Sequence, residues 1–168
     1  MGLTRVEIWV DGACSGNPGP AGCGIVLKAN GASKGVSKSI GFATNNIAEM
    51  QAATMGILAL KRPDLCDVTL FSDSALVVHV LNGDWTACKS KDAADVMIAA
   101  AAVCGDFRAV KVDKKARKPD HVRADQLAKQ AVRDNFTGED CRSFFSPVAA
   151  HERQPQAVAA KAGGNGRF

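Results

Sequence analysis

Val10-Asp11-Gly12-Ala13-Cys14-Ser15-Gly16-Asn17-Pro18-Gly19-Pro20 is the stretch on which the reading of this chain turns. Ahead of it Val6, Ile8 and Val10 alternate with period two, the spacing of one buried strand face. Beyond Asp11 come Gly12, Gly16 and Gly19 with Pro18 and Pro20, a composition that turns the chain tightly. A carboxylate is therefore expected to cap a core strand.

The same arrangement recurs three times. Glu49 follows Thr44-Asn45-Asn46 at the start of an apolar, alanine-rich helix, Asp73 ends the strand Val68-Thr69-Leu70-Phe71-Ser72, and Asp125 opens a helix through Gln126-Leu127-Ala128. Four carboxylates at the ends of core elements are expected to converge at one end of a sheet. Packed like charges raise one another's pKa, so such a group is costly unless cations neutralise it. Oxygen ligands with no nearby Cys/His pairing suit a hard ion such as Mg2+. Two such ions about 4 Å apart activate a water and stabilise the leaving oxygen of an in-line phosphoryl displacement. The chemistry this predicts is phosphodiester hydrolysis.

Outward from these points, residues 22–27 and 35–42 read as a second and third strand around the hairpin signal Asn30-Gly31. A helix follows over 47–60, ended by Lys61-Arg62-Pro63. Then come a buried strand at 68–72, helices at about 74–82 and 91–104, a strand at 108–112 and a last helix over 122–134. A meander followed by alternating strands and helices predicts an α/β fold, a mixed sheet with helices on both faces.

Taken in order, Asp-Gly-x-Cys-x-Gly-Asn-Pro-Gly-Pro from Asp11, Thr-Asn-Asn-x-x-Glu ending at Glu49, Ser-Asp-Ser around Asp73 and Ala-Asp-x-Leu-Ala around Asp125 resemble type 1 ribonuclease H over about residues 5 to 135. The resemblance implies a ribonuclease H-like fold with a mixed five-stranded sheet. It implies an endonuclease that cuts the RNA strand of an RNA/DNA hybrid, leaving 3'-hydroxyl and 5'-phosphate ends, with two Mg2+ ions per site or Mn2+ in their place. On the matching positions, Asp11, Glu49, Asp73 and Asp125 become the catalytic carboxylates and metal ligands. Asp11 and Asp73 serve both ions, Glu49 positions water and ribose, and Asp125 completes the second site. Cys14, Gly16, Asn17, Asn45 and Asn46 become hybrid contacts, and Thr44 matches a residue that holds a DNA-strand phosphate. One of Thr44, Asn45 and Asn46 also reads as the helix cap. Small polar groups beside a glycine turn can read the 2'-hydroxyls that only RNA carries.

Departures from the pattern are informative. Lys115 occupies the position, ten residues before Asp125, where many members carry a mobile histidine. His121 stands where the family often has Asn. Either is a candidate for proton transfer or a phosphate contact, and His121 reads equally as a polar first-turn residue of the last helix. Ala75 replaces a common base-contacting Gln, and residues 83–92 are too few for the long basic protrusion of some relatives. Trp85 reads either as a core plug or as part of a substrate-facing segment.

Composition sets the remaining limits. With 168 residues the chain has room for one compact domain, and the ordered patterns stop near residue 135. A catalytic domain at 1–136 and a flexible tail at 137–168 are expected, Phe144-Phe145 docking locally, with no extra hybrid-binding domain ahead of the core. Net charge is only +4, yet residues 108–133 hold nine Lys/Arg against three Asp. Such a concentrated basic run suits a surface that follows phosphates. Six cysteines show no Cys-x-x-Cys or Cys/His metal spacing and read as reduced and mostly buried. With no leader or membrane span legible, a cytoplasmic monomer without an obligate protein partner is expected.

Overall fold

The computed structural model describes residues 2–84 and 88–136. Expectations for Trp85, Cys141, Phe144-Phe145 and the segment from 137 onward lie outside the described residues. The five strands are β1 (Thr4–Cys14), β2 (Gly19–Ala29), β3 (Ala32–Ala43), β4 (Cys66–Ser72) and β5 (Asp106–Lys111), and the helices are α1 (Asn45–Leu58), α2 (Ala75–Leu81), α3 (Lys91–Ala102) and α4 (Pro119–Phe136). The strands form one sheet in the order β3-β2-β1-β4-β5. β1, β2 and β3 are antiparallel, joined between β2 and β3 by Asn30 (φ 50) and Gly31 (φ 79). β4 and β5 add in parallel to β1.

Alternation in β1 explains why helices cover both faces. Val6, Ile8 and Val10 are buried with Ile25, Leu70, Met50 and Ile57 of α1 and Met97 of α3. The opposite face buries Trp9 and Val26 against Ala124 of α4, and Trp9 stacks on Phe71 with ring centroids 4.1 Å apart at 13°. Among the described residues no helix is long and apolar enough to cross a membrane. Cys23, Cys66 and Cys88 are buried, Cys14 and Cys104 half-buried, and all five are free thiols.

Two expected boundaries shift, and both shifts move a carboxylate. Asp11 does not end its strand, because β1 keeps pairing with β2 as far as Cys14 opposite Ala21, whereas its pairing with β4 reaches only Trp9 opposite Phe71. Nor does Asp125 open its helix. Pro119, whose missing N–H costs nothing in a first turn, already lies in α4, and Val122 N–H donates to Lys118 O at 2.9 Å. Asp125 therefore stands well inside α4, one turn beyond His121.

Glycines let the helix backbones approach. A Cβ on Gly24 would lie 1.9 Å from Ala124 O, and one on Gly12 would lie 2.4 Å from Glu49 N. Gly24 pairs with Asp11 across β1 and β2, so the helix seat and the carboxylate share one register. Replacing Gly24 by Ala must push α4 outward, at a cost of about 2 kcal/mol or more. The expected result is a Tm roughly 8 °C lower by circular dichroism. Gly2→Ala, where a Cβ meets nothing within 4 Å, should leave Tm unchanged.

Candidate active site

Register brings the first two carboxylates together. β1 and β4 run parallel with Val6 opposite Val68 and Trp9 opposite Phe71, so the register continued two residues past the last pair brings Asp11 level with Asp73 at one end of the sheet. The turn holding Asp73 is fixed locally. Ser72 Oγ accepts from Ser74 N–H at 3.1 Å, and Ser74 Oγ accepts from Val77 N–H at 3.4 Å to cap α2. Glu49 arrives from α1, where Thr44 Oγ1 caps the helix by accepting from Ile47 N–H at 3.3 Å. Its Oε2 accepts from Gly12 N–H at 3.2 Å, the close approach that only glycine allows. Asp125 reaches Asp11 from α4 and accepts from Lys129 Nζ at 2.7 Å.

The four carboxylates do not respond alike, and this corrects the expectation of uniform repulsion. Burial, followed by the charge of Asp73, pushes Asp11 up to about 7. Burial, followed by Asp11 and Asp73, pushes Glu49 up to about 9. Asp73 is held low by the His121 imidazole, with Lys114 adding to the effect. Burial also presses Asp125 upward, but Lys129 and its contact with Asp11 outweigh it and the group stays low. The contact between them thus acts in opposite directions, raising Asp11 and lowering Asp125.

His121 and Lys114 complete the cluster. His121 is 2% exposed, so it is not a solvated first-turn residue, and its Nε2 lies 3.6 Å from Asp73 Oδ1. Lys114 Nζ lies 3.4 Å from Asp73 Oδ2. Sequence reasoning placed Lys114 in the basic run without singling it out. Lys114 opens a 3-10 turn over Lys114–Ala116, in which Asp113 Oδ1 accepts from Lys115 N–H at 2.9 Å, and its side chain reaches Asp73 while staying largely exposed. The Lys115 side chain is exposed. One ligand atom each from Asp11, Asp73 and His121 lie within 4.8 Å of one another, close enough to hold an ion jointly. Their site therefore offers a nitrogen as well as oxygens, contrary to the oxygen-only expectation.

Residues expected to meet substrate form a rim beside this cluster. Gly16, Asn17, Asn45 and Asn46 are exposed, and Cys14 and Thr44 are half-buried. Asn17 Oδ1 accepts from Asn45 N–H at 3.1 Å, joining the glycine turn to the start of α1. The Cys14 thiol is 3.0 Å from Ala43 O, tying β1 to the end of β3. On the other side, the exposed residues 113–119 carry Lys114, Lys115, Arg117 and Lys118.

A mixed five-stranded sheet in this order, with carboxylates from β1, α1, β4 and α4 at one end, defines a ribonuclease H-like fold. A family model for RNase H matches residues 4–133. The chain belongs to the RNase H family. It is 36% identical over 144 residues to the ribonuclease H of Chlorobium limicola, covering 78% of this chain and 97% of that one. It is 49% identical over 80 residues to the ribonuclease H of Caldanaerobacter subterraneus subsp. tengcongensis, covering 48% of this chain. That match spans about half the length of the relative, 51%. Among solved structures, LC11-RNase H1, isolated from compost and seen in complex with an RNA/DNA hybrid, superposes with a TM-score of 0.68 at 26% identity, covering 79% of this chain and 99% of that one.

The charge arrangement fixes a pH dependence. Asp11 and Glu49 have folded pKa values above their unfolded ones, so their protonated forms stabilise the fold fully below about pH 4. That stability is lost as pH rises through about 7 and then about 9. His121, also raised, acts in the same direction. In metal-free buffer Tm should fall by about 5 °C or more between pH 5.5 and 9. Scanning calorimetry should show a flatter slope for Asp11→Asn and a lower Tm for Asp73→Asn, which deprives His121 and Lys114 of their partner.

Proposed function

We propose that this chain is an endoribonuclease that hydrolyses the RNA strand of RNA/DNA hybrids by two-metal-ion catalysis, leaving 3'-hydroxyl and 5'-phosphate ends. The observation that carries the reading is the meeting of four carboxylates at one sheet end, two of them too buried and too crowded to ionise readily without added positive charge. Their chemistry fits divalent ions, Mg2+ with Mn2+ in its place. Asp11, Glu49, Asp73 and Asp125 would hold them. Bound there, two ions supply the charge that activates a water and stabilises the leaving oxygen.

The protein's own groups do the rest. Asn17 and Asn45, hydrogen-bonded to each other, present one polar edge for the minor groove of a hybrid, where Gly16 lets backbone approach a ribose 2'-hydroxyl. Cys14 contributes to that edge, while, by the family resemblance, Thr44 would hold a DNA-strand phosphate and Asn46 would touch the hybrid. Lys114, Lys115, Arg117 and Lys118 follow phosphates on the far side, and Lys114 links that surface to Asp73. Recognition in solved form supports the same substrate, since LC11-RNase H1 was captured on a hybrid. We assign catalysis to residues 1–136 and a dispensable role to 137–168, in a monomer acting in the cytoplasm, consistent with the free thiols.

Purified protein with Mg2+ should cut the RNA of a labelled hybrid while leaving duplex DNA and duplex RNA intact. Asp11→Asn should lower the rate by about three orders of magnitude or more. Cleavage of duplex DNA instead would favour an exonuclease or resolvase on this fold, and tight hybrid binding without cleavage would favour a binding module. Replacing Lys114, Lys115, Arg117 and Lys118 by Gln should weaken hybrid binding and flatten the slope of log K against log salt by about three to four. An unchanged slope in fluorescence anisotropy titrations would remove these residues from the interface.

A further inference from the structure

We propose that His121 is a nitrogen ligand in the metal site of this chain, shifting the preference of the site from Mg2+ toward first-row transition ions. The inference rests on the metal-dependent reading above and concerns a position where this chain departs from the Asn common in the family it resembles.

Three observations point to a missing ligand at Nε2. First, this atom is fully buried and has no hydrogen-bond partner. Buried polar atoms are nearly always satisfied, so such an orphan marks something that belongs beside it. Second, its distance of 3.6 Å to Asp73 Oδ1 is too long for a hydrogen bond. It falls in the range spanned by two ligands of one ion, since bonds of about 2.1 Å place neighbouring ligands about 3 Å apart and opposite ones about 4.2 Å apart. Third, Asp11 offers an oxygen within the same 4.8 Å cluster, so Nε2 lies within reach of two carboxylates rather than one.

The helix keeps the ring there. His121 lies one turn before Asp125 on α4, and the following turns bury Ala124 and Ala128 against Gly24 with no room to slide. At 2% exposure the ring has no route to solvent without displacing the helix. Lys114, the cation now nearest Asp73, has a side chain 69% exposed and can swing outward when an ion enters. The chemical consequence follows from ligand type. An amide or carboxylate oxygen suits Mg2+, whereas an imidazole nitrogen suits later and softer ions and strengthens their binding along the first-row series.

Electron spin-echo spectroscopy of the Mn2+-loaded protein reads the bond directly, because a coordinated 14N modulates the echo. The wild type should show this modulation, His121→Asn should lose it, and the ratio of Mn2+ to Mg2+ affinity from calorimetric titration should fall on the order of tenfold in the variant. Should His121→Asn fail to fold, growth on 15N-histidine settles the matter in the native protein by replacing the 14N pattern. Of the three histidines, His79 is exposed on α2 and His151 lies outside the described residues. Mn2+ bound without nitrogen modulation, or with modulation retained in His121→Asn, would overturn the inference while hybrid cleavage leaves the nuclease reading standing. Absence of any Mn2+ binding overturns it too, and only if hybrid cleavage with Mg2+ is also absent does the reading beneath it fall.

Discussion

Backbone proximity is the constraint on which this molecule depends. A carboxylate side chain is short, so groups from β1, α1, β4 and α4 converge only if the elements themselves nearly touch. Gly12 and Gly24 supply that approach, on opposite faces of adjacent strands. Glycine weakens a strand interior because it packs nothing and loses more freedom on folding. Here the loss is offset by pairing, since β2 is bonded along both edges, to β1 and to β3. The sheet's middle carries its least strand-like residues, and it is the place where helices come closest.

Once the groups are close, charge decides how they coexist. Burial shifts Asp11 and Glu49 toward their neutral forms, and cationic partners hold Asp73 and Asp125 low. This division lets the chain fold without ions, since neither pair leaves a bare buried charge. It also sets what an incoming cation must do, namely release protons from the first pair and displace side chains from the second. Lys114 and Lys129 are exposed enough to leave, with side chains 69% and 58% accessible. His121 is not, which is why it belongs to the site in a different sense.

Legibility in the sequence followed locality. The alternation of Val6, Ile8 and Val10, the Asn30-Gly31 turn and the Thr44 cap are decided within a few residues, and their elements were readable. So were the four carboxylates, because each is embedded in its own short motif. What escaped was set by distant neighbours. Strand β1 continues beyond Asp11 only because Ala21 to Gly24 lie alongside it, and the glycines that looked like a pure turn signal are partly ladder residues. The early start of α4 had a signal in Pro119, outweighed by the basic run around it. Nothing local distinguishes Lys114 from Lys115, because a single Asx-type turn at Asp113 decides which one points toward Asp73. The burial of His121 was hidden for the same reason, as it depends on α4 meeting the end of β4.

One helix therefore governs three properties at once. α4 carries Asp125, His121 and the counter-charge Lys129, and it is pinned to β3 by Ser37 Oγ donating to Leu127 O at 2.8 Å and by Arg123 donating to Ser33 Oγ at 3.0 Å. At its far end Asn135 Nδ2 donates to Gly41 O at 2.7 Å. The segment leading into it is tied to β4 where Val112 N–H donates to Ser72 O at 2.8 Å, one residue before Asp73. Any displacement of α4 moves a carboxylate, a buried imidazole and a neutralising cation together relative to Asp11 and Asp73. Geometry and electrostatics in this site are consequently not separable, and a substitution that loosens the helix seat acts on both before it reaches any atom that touches substrate.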